Sequence, residues 1–280
     1  MTGGSSLSKD LSQRLQIRIG KPVCQLYGMT ETSGIATAQL TTGLPVTHTA
    51  GFPVPHAEIS IGAPGAAYRP GAKGEILVRG PNLFHGYLTA QGVIDDPHGT
   101  WFYSGDLGEV GANGELSIVG RSKDVIIRSG HNIDPQVIED VAHQHPAVSQ
   151  AAAVAMPDDY AGEVPVLFVV PRPGVDLSVD ELATFLTPLI AEPPARPKRI
   201  FLVKELPLTA FAKVARFRLR QMAVEYRVKE LLKDVAAAIS VSCSDPAAKR
   251  VAVQGMETLT AAQVEEITRT LRPFDLQVEG

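Results

Sequence analysis

The texture of the chain changes at Arg121-Ser122-Lys123-Asp124, and that break limits the fold more than any other feature of the sequence. Before it, from Gly51 to Ile118, short apolar or β-branched runs are punctuated by Gly and Pro. Ala57–Ile61, Gly74–Val78, Trp101–Tyr103 and Glu115–Val119 read as strands there, and Ala112-Asn113-Gly114 reads as a hairpin turn. Further upstream, Leu7, Leu11, Leu15 and Ile17 have the spacing of a helix face, capped near Ser6 or Ser8, and Val23–Tyr27 reads as a short buried strand. After the break the text alternates. It gives a strand (Val125–Arg128), a helix opened by Asp134-Pro135, strands at Val148–Ala155 and Val164–Val170, a helix from Ser178, and a strand at Arg199–Val203. Val137, Ile138, Val141 and Ala142 are the expected buried face of the first of those helices. A helix through Phe217, Leu219, Met222, Tyr226, Val228 and Leu231 follows, then two strands, a helix and a strand between Ile239 and Glu279. The expected fold is therefore mixed α/β (α+β). A β-rich part spans 1–122, a small α/β domain 123–220, and an appended α+β tail 221–280.

Charge and cysteine content exclude several classes of function. With 26 basic and 30 acidic residues the formal charge is −4, without the electrostatic footprint of a nucleic-acid binder or a polybasic membrane anchor. No apolar stretch reaches the length of a transmembrane segment, and residues 1–20 carry no signal-peptide core. Cys24 and Cys243 are too far apart in sequence to make a disulfide framework or a cysteine-based zinc site, and a reducing, cytoplasmic setting is expected. The seven histidines lack paired ligand spacing, His143 and His145 being two apart, and no Gly-x-Ser-x-Gly or Cys/His nucleophile pattern occurs.

Three polar clusters interrupt the pattern. In Tyr27-Gly28-Met29-Thr30-Glu31-Thr32-Ser33-Gly34 a strand runs into hydroxyls and a carboxylate. That arrangement suits phosphate oxygens and a Mg²⁺ ion, and it equally suits a solvated Thr/Ser turn. In Ser104-Gly105-Asp106 a carboxylate after Gly at a strand end can accept hydrogen bonds from a ribose diol, or can simply close a β-turn. In Pro207-Leu208-Thr209-Ala210-Phe211-Ala212-Lys213 a Pro-led loop ends in an ammonium that could meet an anion or stay in solvent.

In their order and contexts these clusters resemble the adenylate-forming superfamily of acyl-CoA synthetases, luciferases and peptide-synthetase adenylation domains. Tyr27–Glu31 is similar to its nucleotide motif, Ser104-Gly105-Asp106 to its ribose motif, and Gly120–Ile133 to its inter-domain motif. Pro207–Lys213 resembles its terminal lysine motif, and Gly3-Gly4-Ser5-Ser6-Leu7-Ser8 the loop bordering adenine. Gly130–Pro135 with Ala161-Gly162-Glu163-Val164-Pro165 looks most like bacterial fatty-acyl-CoA ligases. The resemblance implies that 1–122 is the C-terminal part of a large nucleotide-binding domain and that 123–220 is a mobile lid. It implies that Gly4, Ser5, Tyr27, Gly28, Thr30, Asp106 and Arg121 bind nucleotide, with Tyr27 on adenine, Thr30 on the α-phosphate, Asp106 at the ribose, and Arg121 reaching the same sugar or phosphate. Glu31 would ligate Mg²⁺, Lys123 would be the pivot, and Gly130 would let the pantetheine arm of CoA pass. Lys213 would bridge the substrate carboxylate and the α-phosphate. ATP and CoA would be co-substrates and a medium- or long-chain fatty acid the acyl donor.

The sequence departs from that pattern twice. Family members carry several hundred residues upstream, including a Ser/Thr/Gly-rich loop ending in Lys over the β- and γ-phosphates, and these 280 residues contain no such loop. The chain therefore reads as the C-terminal half of a longer synthetase, whose N-terminal half would be its partner. A carrier-protein-loading enzyme, or a non-catalytic remnant or interaction module, is the alternative. The second departure is Ala212, where the family has Gly before the lysine; if that position needs positive φ, Ala costs about 1 kcal/mol.

Overall fold

The computed structural model describes residues 1–4, 7, 9–39, 49–90, 92–94, 99–233, 239–245, 247–274 and 276–279. The chain divides at the charged break into two compact units, Met1–Lys123 and Asp124–Gly280.

In the first unit α1 (Lys9–Ile19) is followed by β1 (Leu26–Tyr27), β2 (Thr37–Ala38), β3 (Phe52–Pro53), β4 (Glu58–Ile61), β5 (Lys73–Arg79), β6 (Tyr87–Thr89), β7 (Gly92–Ile94), β8 (Phe102–Val110) and β9 (Leu116–Arg121). They pair antiparallel as β1-β2-β3, β4-β5-β8-β9 and β6-β7. Ile59, Ile61, Ile76, Val78, Val110 and Leu116 close a core over the four-stranded sheet, as expected of half-buried alternating strands. The Asn113-Gly114 turn joins β8 to β9, with Gly114 at φ +84° and Gly111 N donating to Glu115 O at 2.9 Å. Two sequence expectations change here: the strand expected at Val23–Tyr27 is only Leu26–Tyr27, and Ile17 of α1 is 83% exposed. The candidate caps Ser6 and Ser8 lie outside the described residues.

In the second unit the elements are β10 (Ile126–Arg128), β11 (His131–Ile133), α2 (Pro135–Ala142), β12 (Val148–Asp158), β13 (Gly162–Pro171), α3 (Val179–Leu189), β14 (Arg199–Leu202), α4 (Arg216–Leu231), β15 (Ser240–Ser242), β16 (Arg250–Gln254), α5 (Ala261–Leu271) and β17 (Gln277–Glu279). The sheet runs β11-β10-β13-β12, with β14 parallel to β13. It is covered on both faces, which is why β12 and β13 read as continuous apolar runs. Ala151, Ala153, Leu167 and Val169 pack with Ile138 of α2 and with Leu182 and Leu186 of α3. The alternate residues Ala152, Val154, Val166 and Phe168 pack with Leu219 and Ala223 of α4. Further along the same helix, Val224 and Val228 join Val241, Val251, Val253, Ile267 and Leu271 in the core of the β15-β16-β17 sheet. The boundary expected between 220 and 221 thus falls inside one continuous helix. The expected buried face of α2 also needs correction, since Val137 is 51% exposed and Glu139 is buried in its place.

Helix α2 starts where Asp134-Pro135 predicts, with the Asp134 carboxylate accepting from Gln136 N at 2.9 Å. Burial raises that carboxyl from its ordinary 3.8 to about 6, against the opposing pull of the backbone hydrogen bond. A carboxyl that holds its proton more tightly when folded stabilises the fold below its unfolded pKa and loses that contribution as pH rises through the folded one. Stability should therefore fall between pH 3.8 and about 6. Asp134→Asn keeps an oxygen for the cap, so it should flatten that part of a stability–pH curve from urea titrations; an unchanged slope would exclude Asp134 as its source.

Candidate active site

Residues 1–4 run beside β1, with Thr2 N donating to Cys24 O at 2.8 Å and Leu26 N to Thr2 O at 2.9 Å. Gly4 there takes φ +87°, a conformation that suits glycine, whereas Ser5 lies outside the described residues. After Tyr27 the backbone doubles back so tightly that a Cβ on Gly28 would sit 2.3 Å from Gly34 O. Between them Thr30–Thr32 form a 3-10 turn. The buried Thr32 hydroxyl closes it, lying 3.0 Å from both Met29 N and Met29 O.

A second segment braces this turn. Asn82 Nδ2 donates to Thr32 O and Ile35 O at 3.2 Å each, Ser33 Oγ donates to Asn82 O at 2.8 Å, and Phe84 N donates to Glu31 O at 2.9 Å. The Tyr87 hydroxyl donates to Glu31 Oε1 at 3.0 Å, and Phe84 packs edge-on against Tyr87 and Phe102. Thr30 is left exposed. Glu31 is the carboxylate of this loop, and among the described residues no group of three or more His, Cys, Asp or Glu converges as a metal cage. A lone carboxylate fits Mg²⁺ carried on nucleotide phosphates, an ion that keeps most of its waters and takes one or two protein carboxylates.

Asp106 is not at a strand end, as the sequence suggested, but inside β8. Glu75 pairs with Leu107 and Leu77 with Tyr103, so Ser104-Gly105-Asp106 bulge out opposite Ile76. Gly105 takes φ +71° at the bulge, which is why the period-2 pattern breaks off after Tyr103. The bulge is pinned on three sides. Ser104 Oγ donates to Ile76 O at 2.7 Å and accepts from Asp106 N at 3.0 Å, while Gly105 N donates to Glu75 Oε1 at 3.0 Å. It presents the Asp106 carboxylate, 9% exposed, to Tyr27 OH at 2.8 Å and to Arg121 Nε at 2.7 Å. Burial, reinforced by the Asp106 charge, pushes the Tyr27 hydroxyl well above the ordinary phenol range, so it stays a neutral donor. Residues 27, 106 and 121, far apart in sequence, thus form one polar group.

Gly130 and Lys213 belong to the second unit. Ser129 and Gly130 both take positive φ, +49° and +83°, in the turn between β10 and β11. A Cβ on Gly130 would meet nothing within 4 Å, so in this unit by itself backbone conformation, not space, calls for glycine. Lys213 ends a hairpin in which Thr209 N donates to Lys213 O at 2.7 Å and Ala215 N to Pro207 O at 2.8 Å. Ala212 N donates to Thr209 O at 3.0 Å with Ala212 at φ +57°, the left-handed conformation that the sequence departure made costly. Ala212→Gly should accordingly raise the stability of the second unit by about 1 kcal/mol, measurable as a shift in denaturant midpoint at constant slope. A loss of stability would contradict the strain.

Sequence reasoning missed Glu75, Asn82 and Tyr87, because nothing local marks a brace for a distant loop. It also missed a buried ionic cluster. Arg216 donates from Nη1 and Nη2 to Glu139 at 2.5 and 2.8 Å and from Nη1 to Ala153 O at 2.9 Å, and Ala153 N donates to Glu139 Oε1 at 2.8 Å. Asp124 accepts from Arg220 at 2.8 Å and lies 3.9 Å from Arg216 Nε. The available signal was Glu139 itself, a charge next to Ile138 and three residues before Ala142 on the apolar side of α2.

Known proteins resemble this chain over most of its length. The AMP-binding enzyme family profile matches residues 1–88, and the AMP-binding enzyme C-terminal domain profile matches 137–213. The marinolic acid–CoA ligase of Pseudoalteromonas sp. (strain SANK 73390) is 36% identical over 238 residues, which are 82% of this chain and 36% of the relative. The medium-chain fatty-acid–CoA ligase of Escherichia coli (strain K12) is 33% identical over 243 residues, 84% of this chain and 42% of that enzyme. The structure of the anthranilate CoA ligase AuaEII in complex with anthranoyl-AMP superposes with a TM-score of 0.71 at 25% identity, over 80% of this chain and 44% of that one. The chain thus spans less than half the length of these relatives. With the two profiles covering more than half of its residues and the curated relatives being CoA ligases, the chain belongs to the AMP-binding enzyme family of adenylate-forming proteins.

Proposed function

We propose that this chain supplies the C-terminal part of an AMP-forming CoA ligase. The observation that carries the reading is the Tyr27–Asp106–Arg121 group on its pinned bulge, beside a braced Thr30-Glu31 turn, in a chain that also presents Lys213 on a hairpin. In the reaction a carboxylate oxygen attacks the α-phosphorus of ATP and pyrophosphate leaves; the CoA thiol then attacks the acyl carbon and AMP leaves. Asp106 accepts from the ribose hydroxyls, with Arg121 keeping the carboxylate oriented, and Tyr27 and Gly4 border the base. Thr30 contacts the α-phosphate, and Glu31, steadied by Tyr87, would hold Mg²⁺. When bound, that ion supplies neutralising charge to the phosphates. Lys213 places its ammonium between the two anions that must meet.

The second unit, from Asp124 onward, acts as the lid, turning about Lys123, and Gly130 comes to line the path of CoA in the second step. The fatty character of the acyl group rests on the likeness of Gly130–Pro135 to fatty-acyl-CoA ligases and on the Escherichia coli relative. A cytoplasmic site of action fits ATP and CoA as co-substrates and two free, buried cysteines. Among the described residues no helix is long and apolar enough to cross a membrane.

The test compares the 280-residue chain alone with the same chain joined to the N-terminal portion its relatives carry. The chain alone should give no carboxylate-dependent ATP–pyrophosphate exchange. The joined enzyme should exchange, and should release AMP and acyl-CoA when fatty acid and CoA are added. Exchange by the chain alone would refute its being a part. Acyl transfer to a carrier protein but not to CoA would favour carrier loading, and no exchange by either would favour a non-catalytic module.

A further inference from the structure

The pivot residue lies between two side chains that are each tied down in their own unit. Ser122, Lys123 and Asp124 form a single 3-10 turn, and the division between the compact units falls after Lys123. On one side, Ser122 Oγ donates to Gly105 O at 3.1 Å and so is anchored on the bulge that presents Asp106. On the other, the Asp124 carboxylate, 12% exposed, takes a 2.8 Å hydrogen bond from Arg220 and sits 3.9 Å from Arg216. Both arginines are on α4, which starts just beyond Lys213, and Arg216 is itself gripped bidentately by Glu139 of α2. A fork-to-carboxylate pair at this depth resists rotation far better than an exposed ion pair.

We infer that Ser122 and Asp124 are positioning residues that clamp the two ends of the hinge. Reorientation of the second unit is thereby confined to the backbone dihedrals of Lys123 and transmitted without slack to the Lys213 hairpin. This rests on the reading of Lys123 as the pivot and goes beyond it by stating what makes the pivot one residue wide. Hinges normally spread a large φ/ψ change over a few residues; tying both neighbours to rigid structure leaves the change nowhere else to go.

Two measurements test it. On the 280-residue chain, hydrogen–deuterium exchange over residues 121–126 should rise about tenfold in Ser122→Ala and in Asp124→Asn, from loss of local opening energy of about 1.4 kcal/mol, while Asp124→Glu keeps the slow exchange. Unchanged exchange in both variants would overturn the clamps. In the joined enzyme, Lys123→Pro should make acyl-adenylate yet transfer it to CoA about 10²-fold more slowly, because proline fixes φ and biases Ser122 toward extended backbone. Adding Ser122→Ala and Asp124→Ala should restore transfer about tenfold, since neighbouring dihedrals can then turn. Simple destabilisation would only add to the loss, so no recovery overturns the inference, as does normal transfer by Lys123→Pro. Exchange needs no turnover, so failure of the ligase reading would show separately, as an unmodified joined enzyme that makes no acyl-CoA.

Discussion

Replacing Lys213 with alanine in the joined enzyme is expected to slow acyl-adenylate formation by about 10²–10³-fold while leaving attack of CoA on supplied acyl-adenylate within a few-fold. The asymmetry follows from when the charge is needed. A carboxylate approaching the α-phosphate brings two anions together, and a preorganised cation there acts only as charge develops. On the proposed mechanism the nucleophile of the second step is a thiol, and the lid would have turned the lysine away. The structure suits that role. The hairpin is closed by backbone hydrogen bonds at both Thr209 and Ala215, and among the described residues no carboxylate pairs with the Lys213 ammonium. Single-turnover rates for each half-reaction decide the matter, and an equal loss in both would exclude the assignment.

Glu139→Ala should destabilise the second unit by about 3–5 kcal/mol. Glu139 is 6% exposed at its side chain and supplies both acceptors for the Arg216 fork, as well as the partner of Ala153 N. Its removal leaves a largely buried guanidinium with the Ala153 carbonyl and the more distant Asp124 carboxylate in place of its bidentate partner, and leaves a backbone N–H in the core without its acceptor. Adding Arg216→Leu should recover much of the loss, because the penalty comes from the uncompensated charge and not from the absence of attraction. The two units can be followed separately. Trp101 is the single tryptophan and lies in the first unit, so its fluorescence should keep its midpoint while far-UV circular dichroism loses stability. A fluorescence midpoint that moves in step, or a double variant no better than Glu139→Ala, would contradict the argument.

Much of the fold was legible because burial leaves a periodic trace. β12 and β13 are covered on both faces and read as unbroken apolar runs, and α2 announces itself by Asp134-Pro135. The cost at Ala212 could be stated from sequence as a condition on φ, and the backbone meets that condition at +57°. Asp106 was found by its motif but misplaced at a strand end, because Gly105 breaks the alternation that marks a strand while β8 continues past it to Val110. Val137 and Glu139 exchanged roles on α2, since hydrophobicity alone ranks valine inside and cannot see a guanidinium arriving from 77 residues away.

The sequence by itself determined the larger strands and helices of the second unit, the charged break at 121–124, and which side chains have the chemistry of a nucleotide site. Those properties depend on local periodicity and on residue type, and both are present before any folding. The tertiary structure alone decided that Tyr27, Asp106 and Arg121 form one hydrogen-bonded group, and that Asn82 and Tyr87 brace the Thr30-Glu31 turn. It alone tied Asp124 to Arg220 and Arg216 to Glu139. Such pairs join residues distant along the chain, and they form only when sheet register and helix packing carry each donor to within 3 Å or so of an acceptor, a condition that no spacing in the sequence records.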